Sequence, residues 1–187
     1  MQRLRFATAK DLFAAFPTAA KDVGAPATSE APLDYMNNLA KTGQAMAALS
    51  FCAYLLDRRQ ATCWACRCVR GLPGTPASGE IRTLAAAEAW VEQPNEPRRL
   101  AAHKAALAGD HTSPATFAAY AAAYSGPSLR PAILGPDDGL VVRIPPYLTA
   151  QSTRAAFLLA GPRLPAKKKD DYRRIWLDEG IRLINGK

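Results

Sequence analysis

The sequence predicts an all-α protein, a compact irregular bundle of six to eight short alanine-rich helices. Of the 187 residues, 38 are alanine and 49% are hydrophobic, which provides a core and excludes intrinsic disorder. Helix-start and helix-stop residues recur at short intervals along the chain. Their spacing is irregular and shows no repeat consensus, so a bundle is favoured over a solenoid. This length suits one domain, and residues 1–187 are predicted to form a single helical domain.

The first half of the chain begins with a short helix and a connection. Thr8 can cap the first helix, which ends before Pro17, and residues 17–32 with their three prolines predict a loop or linker. Residues 33–56 are helical in pattern again, with a break at Thr42-Gly43. Asp57 is the expected cap of the next helix, over 58–70, which Gly71 ends.

In the second half, hydroxyl or amide caps alternate with proline or glycine stops. They predict helices over 80–93 (capped by Ser78), from Asn95 through Ala108, over 114–124 after Ser113-Pro114, from a Thr149 cap to Gly161, and over 165–184. The interval 126–147 holds five prolines and three glycines and predicts an extended segment. Its apolar run 140–144 fits one short strand or an arm packed on the helices, because no partner strand is evident.

Large side chains among the alanines mark the expected core. Trp64 and Trp90 are predicted core anchors, since neighbouring alanines leave room for an indole. The last helix has an apolar face formed by Tyr172, Ile175, Trp176, Leu183 and Ile184. That face must be buried, and packing on its own bundle is favoured over a second copy or a partner's groove.

The four cysteines, at positions 52, 63, 66 and 68, are interpreted as free thiols in a reducing compartment. Cys63 and Cys66 lie close to one face of the predicted helix, but Cys68 is about 140° from Cys63 at about 100° per residue. Three sulfurs on one helix therefore cannot converge on one ion, and no metal or other cofactor is predicted. A redox or metal role for the cluster stays an open alternative.

Motifs for catalysis are missing from the sequence. The histidines are His103 and His111, on different predicted elements, and no GxSxG, HExxH, GxxxxGK[ST] or GxGxxG motif occurs. We therefore predict a non-enzymatic protein with no catalytic residues. A site assembled only in three dimensions stays open.

The net charge of +8 permits an acidic partner. The last 37 residues carry nine basic and four acidic side chains. The candidate partner-binding residues are Arg58, Arg59, Arg98, Arg99, Lys167, Lys168 and Lys169. Arginines are poorly placed at the positive end of a helix, so the pair at 58–59 is expected to meet internal carboxylates such as Glu88 or Glu92, or an external acidic ligand. A membrane span and a secretory signal are not evident, so a cytoplasmic location without membrane association is expected.

Several segments together resemble a known family. They are LLDRRQATCWACRCVRG (55–71), AAAEAWVEQPNEPRRLAAHKAA (85–106), SPATFAAYAAAYSGPSL (113–129), VVRIPPYLTAQSTRAAFLLAG (141–161) and WLDEGIRLINGK (176–187). In this order they are similar to an uncharacterised bacterial family, a domain of unknown function found in proteobacteria and in some cases near type VI secretion genes. The likeness begins near residue 35. The chain departs from the family pattern at Asp57 and Gln60, where that pattern has proline and glutamate. The resemblance implies no activity and no catalytic residue.

Taken together, these observations favour a non-enzymatic protein–protein interaction module, such as an adaptor or chaperone-like accessory of a bacterial secretion system. A nucleic-acid-binding regulator is the alternative, since basic groups recognise phosphates. An enzyme or metalloprotein with an unrecognised site is the third.

Overall fold

A computed structural model describes residues 4–129 and 141–186. In these residues the chain forms the helices α1 (Ala9–Ala15), α2 (Pro17–Val23), α3 (Pro32–Lys41), α4 (Ala45–Leu55), α5 (Arg58–Arg70), α6 (Ser78–Glu92), α7 (Glu96–Leu107), α8 (Pro114–Ala123), α9 (Leu148–Ala160) and α10 (Lys169–Ile184), and the strands β1 (Ser128–Leu129) and β2 (Val142–Arg143). Two 3₁₀ turns, Gly161–Arg163 and Ala166–Lys168, connect α9 to α10. The prediction of an all-α bundle is confirmed.

The helices surround two clusters of buried side chains, and α5 contributes residues to both. The larger cluster contains side chains from each of the helices α1 through α5, and from α9 and α10. Trp64 belongs to it. The smaller cluster lies between α5, α6, α7 and α8, and contains Trp90. Both tryptophans are buried, as predicted. Helix α8 packs against α5, α6, α7 and α9, which its small alanine side chains allow.

Helix α5 begins with a capping box in which two residues satisfy each other's backbone. The Asp57 carboxylate accepts from the Gln60 N–H at 2.7 Å, and the Gln60 side-chain oxygen accepts from the Asp57 N–H at 3.2 Å. The Gln60 amide also donates to the Leu183 carbonyl oxygen at the end of α10, at 2.9 Å. A glutamate could accept in the box but could not donate to Leu183. The Gln60 side chain therefore links the start of α5 to the end of α10.

The expected loop over 17–32 is wrong at both ends, because α2 begins at Pro17 and α3 at Pro32. Each proline is at the first position of its helix, where the N–H that it lacks would have no intrahelical acceptor. Helix α2 ends at Gly24, whose φ of 68° is the left-handed conformation that glycine adopts readily.

Two further expectations need correction. β2 does have a partner: Val142 pairs with Leu129, and Arg143 with Ser128, in an antiparallel ladder. The short strand itself was predicted within 140–144, but its partner was missed because a two-residue strand leaves too short a pattern in the sequence. Residues 130–140 of the predicted extended segment lie outside the described residues. Thr149 is also not a cap. It is in the first turn of α9, whose N-cap is Tyr147.

Helix α10 packs on its own bundle, against α4 and α5, as predicted. Trp176, Leu177 and Ile184 are buried, whereas Ile175, expected on the apolar face, is 57% exposed. Helix α10 starts at Lys169, four residues later than predicted, because a 3₁₀ turn precedes it. In the described part of the chain, no helix has the length and apolar character needed to cross a bilayer.

Candidate functional site

Two of the predicted arginines converge on the end of α8. Arg58 at the start of α5 donates to the carbonyl oxygens of Ser125 (2.6 Å) and Gly126 (3.3 Å). Arg99 in α7 donates to the carbonyls of Ala123 (2.7 Å) and Ser128 (2.8 Å). Arg99 is only 5% exposed and also forms a bidentate ion pair with Glu96, whose pKa it lowers.

The other two arginines converge on the end of α6. Arg59 donates to the carbonyl oxygens of Val91 (2.8 Å) and Glu92 (3.3 Å). Arg98 donates to the Ala89 carbonyl at 2.6 Å and is 3.9 Å from the Glu92 carboxylate. The carbonyls at a helix end lack intrahelical donors and carry partial negative charge, so guanidinium groups stabilise them.

These contacts change the interpretation of the arginine pairs. The expected carboxylate partners of the pair at 58–59 are not the observed ones: Arg59 binds backbone oxygens, and Glu88 pairs with Arg70. The four guanidinium groups hold the starts of α5 and α7 against the ends of α6 and α8. Lys167 and Lys168, in contrast, are exposed in the 3₁₀ turn before α10, and Lys169 begins that helix. Partner binding by these seven residues stays a prediction.

An apolar cleft lies between α5, the connection after it and α6, and no sequence motif indicated it. Its volume is about 240 Å³. Its apolar wall is formed by Val69, Leu72, Pro73, Ile81, Leu84 and Ala115. Ile81 is 43% exposed. Arg70 and Arg163 line the same cleft, so basic groups border an apolar surface.

A polar cluster separates this cleft from a second cavity of about 410 Å³, and both are lined by Glu80 and Arg163. The Ser113 hydroxyl donates to Glu80 Oε1 at 2.5 Å, and Arg163 Nη1 is 2.7 Å from the same oxygen. The Ala77 N–H donates to Glu80 Oε2 at 3.2 Å. Burial alone would raise the pKa of Glu80, but these hydrogen bonds and the Arg163 charge outweigh it and hold the pKa below its ordinary value.

The contacts of this cluster are those of a structural clamp that ties Ala77, Ser113 and Arg163 to Glu80. A serine nucleophile needs an adjacent base, and a carboxylate with a lowered pKa is a weak one. The Ser113 oxygen is also used as the cap of α8, where it accepts from the Ala115 N–H at 3.2 Å. Ser113 was predicted as a cap from Ser-Pro. No local signal indicated Arg163, which reaches Glu80 from a segment distant in sequence.

Burial distinguishes the four cysteines. All four are free thiols, and Cys63 is the one that is not buried. Burial raises the pKa of Cys52, Cys66 and Cys68 well above the ordinary value. In residues 4–129 and 141–186, no three His, Cys, Asp or Glu side chains are grouped so that they could hold a metal ion.

Comparison with known proteins gives one match. No curated protein and no solved structure matches the chain. The model of a family of unknown function, DUF6931, matches residues 35–184, the region in which the sequence resembles an uncharacterised family. The match covers most of the chain, and the protein therefore belongs to the DUF6931 family.

Proposed function

We propose that this protein is a non-enzymatic protein–protein interaction module that binds its partner in the apolar cleft beside α6. The observation that carries the proposal is the exposed Ile81 within a cleft of about 240 Å³. Apolar surface of this kind, bordered by polar groups, is typical of recognition sites. Connections between helices supply part of the wall, with Leu72 and Pro73, so the cleft can adapt to a side chain of the partner.

The charges around the cleft favour an acidic partner segment. Arg70 and Arg163 line the cleft and are both partly exposed, even though Glu88 and Glu80 pair with them. The basic run 167–169 follows Arg163 by only four residues, and Lys167 and Lys168 are exposed. A segment with one apolar side chain for the cleft and carboxylates for these cations would match both features.

The proposed role is that of a cytoplasmic adaptor or chaperone-like accessory. The resemblance to a family found near type VI secretion genes suggests a component of such a system as the partner. A nucleic-acid-binding regulator is less well supported, because Arg58, Arg59, Arg98 and Arg99 donate to internal carbonyl oxygens. Phosphate binding would need cations that are free to pair with the backbone of the nucleic acid.

Site-specific crosslinking in the source cell tests the proposal. A photo-reactive amino acid at Ile81 should give a defined protein adduct, which mass spectrometry identifies. The same amino acid at Leu100, which is equally exposed at 43% but lies on α7, should not give that adduct. Purified partner should then bind the wild type and Leu100→Asp, and bind Ile81→Asp at least tenfold more weakly. Equal binding by both variants would exclude the cleft.

A further inference from the structure

A smaller cavity, of about 70 Å³, lies where α5 and α9 begin. It is distinct from the apolar cleft and from the cavity of about 410 Å³. Buried side chains, among them Phe16, Tyr54 and Ala61, form its walls. Arg5, Arg58 and Thr149 also line it. A cavity needs only about 10–15 Å³ to hold one water molecule, so this one has room for a group of several atoms.

Thr149 is one of the residues that line this cavity, and its hydroxyl has no partner among the described residues. Thr149 is 2% exposed, and its Oγ1 forms no hydrogen bond with any group in the described part of the chain. Nearly all buried polar side-chain atoms in proteins are hydrogen-bonded, because an unsatisfied one has lost its interactions with water. The exception indicates a position at which a ligand atom can be bound.

Positive charge lines the same cavity, from Arg5 and Arg58. Arg5 donates through Nη1 to the Leu56 carbonyl oxygen at 3.1 Å. Arg58 donates through Nη1 to the Ser125 carbonyl oxygen at the end of α8. Each guanidinium has five N–H donors, so donors remain on both. Burial, and next the nearby charge of Arg5, lower the pKa of Arg58. The start of α9 has no side-chain cap among the described residues, and it adds the positive end of a helix.

Among the described residues, Asp22 and Asp57 already have other partners. Asp22 accepts from Tyr54 (2.5 Å) and Gln151 (3.0 Å), and is paired with Arg154. Asp57 is the cap of α5. In residues 4–129 and 141–186, no acidic side chain forms an ion pair with Arg5 or Arg58.

We propose that this cavity is a binding site for a single phosphoryl group, held by Arg5, Arg58, the Thr149 hydroxyl and the start of α9. Guanidinium groups pair with phosphate oxygens through parallel hydrogen bonds, and helix starts favour anions. The volume admits the tetrahedral group itself. The group can come from inorganic phosphate or from a phosphate monoester whose remainder projects past the exposed Arg5 and Pro146.

Thermal unfolding of the full chain tests this site independently of the partner cleft. Sodium phosphate is titrated at constant ionic strength, with chloride as the balancing anion, and O-phosphoserine is titrated in parallel. Ligand that binds only the folded state raises the unfolding midpoint in a saturable way. A midpoint that follows ionic strength alone, with either probe, would overturn the proposal. A rise with phosphate but not with O-phosphoserine identifies the free ion, and the stronger rise with O-phosphoserine identifies a monoester.

Three variants locate the binding. Thr149→Val keeps the shape and removes the unsatisfied hydroxyl, so its midpoint without phosphate should equal or exceed that of the wild type. Its phosphate affinity should fall at least tenfold, and so should that of Arg5→Gln. Arg82→Gln removes an exposed arginine that lines the cavity of about 410 Å³. Its unfolding midpoint should respond to phosphate as that of the wild type does. Wild-type phosphate affinity in both Thr149→Val and Arg5→Gln would overturn the assignment.

Discussion

Trp64 in α5 donates its indole N–H to the backbone carbonyl oxygen of Trp176 in α10, at 2.7 Å. The ring centroids of Trp64 and Phe157 are 4.4 Å apart. The Phe157 ring in turn stacks on the Trp176 ring, with 5.2 Å between their centroids. Three helices, α5, α9 and α10, thus meet in one aromatic cluster. Helix α10 is part of the folded core through this cluster, and its removal should unfold the domain.

Trp176→Ala should lower the free energy of unfolding by about 3–5 kcal/mol, as expected for loss of a buried aromatic side chain. Ile175→Ala, at the neighbouring exposed position, should change it by at most about 0.5 kcal/mol. Urea denaturation followed by far-UV circular dichroism measures both. Deletion of residues 166–187 should remove the cooperative transition. A truncated protein that kept the full transition would show that α10 is dispensable for the fold.

Gly180→Ala should destabilise the protein although alanine is the better helix former. A Cβ at position 180 would be 2.6 Å from Cys52 Sγ and 3.1 Å from the Trp64 ring. Overpacking of this kind costs about 1–3 kcal/mol, which outweighs the propensity gain of about 1 kcal/mol.

Two comparisons separate the cost of overpacking at position 180 from the gain in helix propensity. In a Cys52→Ala background the closest contact disappears, so Gly180→Ala should be less costly than in the wild type, which a double-mutant cycle measures. Gly79→Ala in α6, where the nearest atom is 4.0 Å away, should be neutral or stabilising. Equal costs of Gly180→Ala in both backgrounds would show that Cys52 is not the obstacle.

Arg99→Met should be much more destabilising than Arg59→Met. The first change leaves the buried carbonyl of Ala123 and the partly buried carbonyl of Ser128 without their donor, and an unsatisfied buried group costs about 1–3 kcal/mol. Arg59 is exposed, so water can replace it at the end of α6, and we expect a loss of about 1 kcal/mol or less. Chemical denaturation distinguishes these outcomes, and similar losses would contradict the assigned difference in burial.

The pH dependence of stability should reveal the Glu80 clamp. Because the pKa of Glu80 is lower in the folded state than its ordinary 4.5, the ionised carboxylate stabilises the fold above about pH 4.5. This stability is lost as the pH falls through the lower folded pKa. The stability difference between wild type and Glu80→Gln should therefore be largest near neutral pH and shrink below pH 4.5. A constant difference between pH 7 and 3 would contradict this.

Alkylation should distinguish the thiols. Burial raises the pKa of Cys63 as well, but Arg67 opposes the shift and this thiol is half-buried. Iodoacetamide at pH 8 should therefore modify at most Cys63 in the native protein and all four cysteines in guanidinium chloride. Native Cys63→Ser should stay unmodified. Rapid modification of Cys66 or Cys68 would indicate an exposed, reactive cluster.

Local signals account for much of the fold and for little of the candidate site. The caps at Asp57, Asn95 and Ser113 were predictable because a cap and its helix are adjacent in sequence. Proline at position 17 was misinterpreted, since the same residue can break a helix or begin one. The carbonyl partners of Arg58 and Arg59 are 67 and 32 residues away. Which helix end meets which helix start is decided by packing, and residue type alone does not encode it.

Helix α8 lies between four other helices, and nine of its ten residues are buried. Its alanines are consequently the positions at which the chain has least freedom to evolve. A side chain much larger than alanine there would have to push a neighbouring helix outward, while glycine, serine or cysteine would fit. In a library of all single substitutions, the buried alanines of α8 should accept only these small replacements, and the solvent-facing turns of α7 should accept almost any residue but proline.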